Sequence, residues 1–155
     1  MVAAEALEVA EELEGELTRE LSRAAGERAV LQSLDGARIE ARVAERKEFE
    51  DRAGSLQERL RALLRSLRGE SEGPLLDRLQ AGNDDEIQLG QRLTLLADKA
   101  AELSRINAQN QLVAERSLHF SRAWSRALTP RPAAYDRRGA ETSAAGALGT
   151  HSRRA

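Results

Sequence analysis

His119 and His151 are the only histidines in the chain, and it contains no cysteine. A metal centre needs several N, S or O donors at ligand spacing. The two histidines lie far apart in sequence with no supporting carboxylate cluster, so no metal is expected. Ser117 and Ser121 lack the base and orienting acid that would activate a hydroxyl. Neither a GxxxxGK[ST] nor a GxGxxG cradle for phosphate occurs. The chain therefore reads as a non-enzyme without cofactors. What its residue types offer is recognition: Asn110 and Ser117 stand at helical spacing among Val113, Phe120 and Trp124, polar notches in a run of large apolar groups.

That run belongs to a longer pattern. Steps of three and four from Leu89 give Leu93, Leu96, Ala100, Leu103, Ile106, Asn110, Val113, Ser117, Phe120, Trp124 and Leu128, one side of an α-helix over residues 84–128. Its first half is aliphatic and suited to a core, whereas the notched second half suggests a docking face.

Composition sets the class. Aromatic residues make up 3% of the 155, prolines number three, and Ala, Leu, Glu and Arg dominate, all strong helix formers. The expected class is all-α. No apolar run reaches the length of a membrane span, and the N-terminus lacks the basic-then-apolar order of a secretory signal. A cytoplasmic protein without stable membrane insertion is expected, in keeping with the absence of Cys. Residues 1–128 hold 19 Lys and Arg against 24 Asp and Glu, a net of −5, while the remainder carries five Arg against Asp136 and Glu141. An acidic body does not suit phosphate neutralisation, so no nucleic-acid partner is expected.

In chain order, Val2, Ala6, Val9, Leu13, Leu17, Leu21, Ala24 and Leu31 mark a first helix to about Gln32, interrupted at Arg28 and loaded with glutamates, for which solvent exposure is the default. Asp35 is placed to cap a second helix, Ala37 to Arg68. Its stripe is Ile39, Val43, Ala53, Leu56, Leu60, Leu63 and Leu67, with Phe49 nearby. The short connection favours an antiparallel hairpin. Gly69 and Pro74 end this helix. Leu75, Leu76 and Leu79 suggest a short connector helix, and Asn83, Asp84 and Asp85 supply the cap of the long third helix. The spacing thus predicts a three-helix antiparallel bundle, 1–128, with a short connector helix. Past Pro130 and Pro132, residues 129–155 form a basic tail with little to bury, expected to be disordered when free.

The segment from Asn107 through Asn110, Val113, Ser117 and Leu118 to Phe120 resembles the signature of the FlgN family of bacterial flagellar type III export chaperones. That signature runs Asn, two residues, Asn, two residues, an aliphatic, three residues, Ser-Leu, one residue, then Tyr or Phe. Residues 34–46 are similar to the family's capped start of its second helix, with Gly36 and Arg42 where Leu is common. Tyr135 followed by Gly139 resembles the family's tail motif.

The resemblance implies a chaperone that binds C-terminal segments of the hook–filament junction proteins FlgK and FlgL, prevents their premature association and delivers them to the export gate. Position by position it marks Asn107, Asn110, Val113, Ser117, Leu118 and Phe120 as partner-facing, and Trp124 extends that face by spacing. Tyr135, with Gly139, would engage the gate protein FlhA. From spacing alone the same stripe would serve as the bundle's own core or as a homodimer seam. A coiled-coil scaffold, or a chaperone of another secretion system, is the alternative.

Overall fold

The computed structural model describes residues 1–69, 74–128, 134–135 and 141–142. Four helices account for most of them: α1 (Val2–Ser33), α2 (Gly36–Arg68), α3 (Leu75–Gln80) and α4 (Asp84–Leu128). Two-residue strands β1 (Ala134–Tyr135) and β2 (Glu141–Thr142) pair antiparallel, Ala134 with Thr142 and Tyr135 with Glu141. The class is all-α with this minimal ladder added. The rest of the tail expected to be disordered, Gly139 included, lies outside the described residues.

The helix boundaries follow local chemistry. α1 closes with Leu34 in the left-handed region, φ 53°, its N–H on the Leu31 carbonyl. Asp35 then caps α2 by accepting from the Arg38 N–H at 3.2 Å. Gly69 ends α2 at φ 55°, a conformation that costs glycine nothing. Arg78 of α3 donates to the Arg68 carbonyl at 2.9 Å and to that of Leu67, so a guanidinium sits on the unpaired carbonyls of α2. Asn83 and Glu86 form a reciprocal capping box at the start of α4, with bonds of 3.1 and 3.0 Å. A Cβ at the preceding Gly82 would collide with the Glu86 carboxylate.

By packing, the chain divides into two units, 1–118 and 119–155. In the first, α1 and α2 are antiparallel neighbours, since Glu5 meets Arg59 at one end and Glu27 meets Arg42 at the other. α4 runs alongside α1 in the same direction, with Arg92 beside Glu11 and Glu14, Lys99 beside Glu14, and Asn110 against Ala24. Val9, Leu13 and Leu17 of α1, Phe49, Ala53 and Leu60 of α2, Leu79 of α3, and Leu89, Leu96 and Leu103 of α4 form one buried cluster.

Two expectations about facing are corrected. Val43, assigned to the buried stripe of α2, is 63% exposed, and the adjacent Arg42 turns inward instead. Residues one apart differ by about 100° around a helix, so one of the two must face away. Glu20 and Glu27, buried on the facing side of α1, draw in the guanidinium. Those glutamates, with Glu16, also depart from the solvated positions that composition assigned them.

Candidate functional site

α4 is the element that carries the site. It is 45 residues long and α1 is 32. Asn110 pairs with Ala24 at an offset of 86 positions.

The signature residues of the first unit lie on two adjoining lines of α4: Asn107 and Leu118 on one, Asn110, Val113 and Ser117 on the next, with Asn107 and Asn110 three residues apart. Asn107 accepts a hydrogen bond on Oδ1 from the Arg46 guanidinium at 3.2 Å. Asn110, only 5% exposed, donates from Nδ2 to the Ala24 carbonyl at 2.8 Å. Its amide therefore fixes α4 to α1, in addition to any part in binding. Val113 and Ser117 are half-buried, and Leu118 is exposed.

Both asparagines line a groove of about 860 Å³ within the first unit. α2 supplies one wall with Arg46, Phe49, Ala53 and Gly54, α4 the other with Ala100, Ser104 and Ala108, and Leu17 and Leu31 of α1 line it too. Small side chains on both walls leave room for another backbone to approach.

In the second unit, Phe120 and Trp124 are 62% and 58% exposed, and Leu128 is 64% exposed. The two rings stack on each other, centroids 6.2 Å apart and planes 15° from parallel. Self-stacking of adjacent turns hides only part of either ring. Tyr135 lies in β1, paired with Glu141.

Beside the groove sits an ionic network that the sequence did not announce. Arg42 donates to Glu20 at 2.5 and 3.3 Å and to Glu27 at 3.3 Å, and Arg46 reaches the same Glu27 carboxylate at 2.6 Å. Burial works against the charge of Arg42, but the Glu20 hydrogen bond and the fields of Glu20, Glu27 and Glu45 outweigh it and hold its pKa above the ordinary guanidinium value. Guanidiniums and buried carboxylates thus alternate up to the Asn107 contact. The one signal in the sequence was Arg42 at a position where the resemblance leads one to expect Leu.

A second charged cluster ties α4 to α1. Glu14 takes hydrogen bonds from Arg92 and from Lys99, and these lower its carboxyl pKa despite some desolvation. Among the described residues there is no group of three or more His, Cys, Asp or Glu able to hold a metal ion, and no helix long and apolar enough to cross a membrane.

No curated protein and no solved structure matches the chain. A family model described as FlgN protein matches residues 1–143, nearly the whole chain and all of the site. With that coverage, the chain belongs to the FlgN family.

Proposed function

We propose that this protein is a cytoplasmic flagellar export chaperone. It holds the C-terminal segments of hook–filament junction proteins, FlgK-like and FlgL-like, prevents their premature association and presents them to an FlhA-like export gate protein. The observation that carries this is the exposure of Phe120, Trp124 and Leu128 at the end of α4, with exposed Leu118 just before them in the chain. Side chains of that size left in water are a site for a partner when they gather on one short stretch. An amphipathic segment that would aggregate alone buries its apolar face against them. Asn107, Asn110, Val113 and Ser117 belong to the same partner-facing set, and Tyr135 with Gly139 forms the separate element that docks on the gate.

Membership in the FlgN family supports an assembly role, and the acidic body gives no reason to expect nucleic acid. A second reading, self-association of the same exposed residues into a homodimer or scaffold, is favoured by the same exposure. Calorimetric titration with synthetic FlgK-like and FlgL-like C-terminal segments, combined with sedimentation of the free protein, separates the two. Saturable binding by a monomer supports the chaperone. A stable dimer that ignores both segments supports the scaffold.

A further inference from the structure

We infer that Arg46 is a positioning residue that fixes the polarity of Asn107 opposite to that of Asn110, so that the groove recognises a carboxamide side chain, Asn or Gln, on the bound segment. The inference rests on the proposal that Asn107 and Asn110 face a bound segment, and it adds what that segment must carry.

An asparagine amide presents an acceptor oxygen and a donor NH2, and either can face a given neighbour unless that neighbour forbids it. Arg46 forbids it. A guanidinium has only donors, so the atom it meets on Asn107 has to be Oδ1, as the 3.2 Å contact has it. The NH2 of half-buried Asn107 is then turned away from Arg46, on a side chain that lines the groove. Arg46 is itself held at 2.6 Å by Glu27, whose carboxylate is buried and shared with Arg42, so the lock has a rigid base.

Asn110 is locked the opposite way. The Ala24 carbonyl can only accept, so Nδ2 faces it and Oδ1 is left over. Among the described residues no side-chain N or O is both buried and unpaired, so this oxygen is not sealed from solvent, and Asn110 lines the same groove. One turn of α4 thus offers a donor at Asn107 and an acceptor at Asn110, three residues apart on neighbouring positions of the helix. A helical partner has no spare backbone groups along its length. A carboxamide carries a donor and an acceptor on separate atoms of one plane, and so complements a donor beside an acceptor, which a hydroxyl with a single oxygen does less well.

The test is the isosteric Asn107→Asp substitution, assayed by calorimetry with the junction-protein segments and by thermal melting. The new carboxylate keeps the contact with Arg46 and makes it an ion pair, so the melting temperature holds or rises. It has no NH2, so the bound segment dissociates about tenfold more readily. Arg46→Met should weaken binding as well, with no further loss when combined with Asn107→Asp. Replacing each Asn and Gln of the segment by Met in turn should expose one position whose loss matches that of Asn107→Asp. Wild-type affinity in Asn107→Asp, or an additive double variant, overturns the inference while the chaperone proposal stands. If wild-type protein binds no segment, that proposal fails, and the lock is read from the Asn107 side-chain NH2 resonances in nitrogen-15 spectra. Arg46→Met should then move them toward the positions of a free carboxamide, and an unchanged pair overturns the inference.

Discussion

The Asn110 amide nitrogen lies 2.8 Å from the carbonyl oxygen of Ala24, and this bond sets the register of α4 against α1 at the level of the signature. Asn110→Asp would turn a carboxylate toward that carbonyl. We expect a loss of roughly 1–3 kcal/mol of stability or more, since a buried acceptor then faces an acceptor. The burial raises the folded-state pKa of the new carboxyl, so the deficit should shrink as pH falls through the carboxylate range. Thermal melts at neutral and acidic pH check both signs; a variant as stable as wild type at neutral pH would mean that the amide is not holding the helices.

Arg42 and Glu20 form the most buried ion pair in the first unit, with side chains 9% and 1% exposed. Arg42→Ala should cost about 3–5 kcal/mol, because it strands Glu20 without its cation. Glu20→Met with Arg42→Leu, which leaves Glu27 on Arg46, should be neutral or stabilising by roughly 1–4 kcal/mol. Chemical denaturation of the single and double variants distinguishes them. Equal losses in both would show that the pair, as a pair, stabilises the hairpin.

The pattern of apolar residues revealed the four helices and the cap at Asp35, because periodicity and capping are written in residues close together in the chain. The inward turn of Arg42 was not legible in the same way. Its reason lies in Glu20 and Glu27, 22 and 15 residues earlier, and only the hairpin brings them opposite. Composition alone assigns such glutamates to solvent. The site was legible as a set of residues on one helix. That Asn107 and Asn110 are each tied to a different neighbour depends on Arg46 and Ala24, which no spacing rule connects to α4.

Glu14 accepts hydrogen bonds from Arg92 and Lys99, and its pKa lies below the ordinary carboxyl value in the folded state. In the window between the folded and unfolded values the unfolded chain binds more protons, so this group's stabilising contribution is present above the unfolded pKa and is lost as pH falls through the folded one. Glu14→Gln should therefore flatten the acid limb of a stability–pH curve while lowering stability near neutrality. An acid limb that is unchanged would mean that the cluster contributes nothing to folding.

Leu34 holds a left-handed backbone with its side chain half in solvent. A non-glycine residue there costs about 1 kcal/mol, and glycine adds part of that back through the freedom of the unfolded chain. Leu34→Gly should thus raise stability slightly, by about 0.5 kcal/mol, in denaturant titrations. A loss above about 1 kcal/mol would show that the leucine packs at the hairpin turn.

The central claim is that the exposed end of α4 is a seat for a foreign segment. Calorimetric titration of wild type and Phe120→Asp with the FlgK-like C-terminal segment tests it most directly, because Phe120 is exposed and its replacement should leave the fold intact. The account predicts saturable binding by wild type and loss of at least about tenfold in affinity in the variant, with unchanged helicity and melting. Equal affinity in both proteins would contradict it.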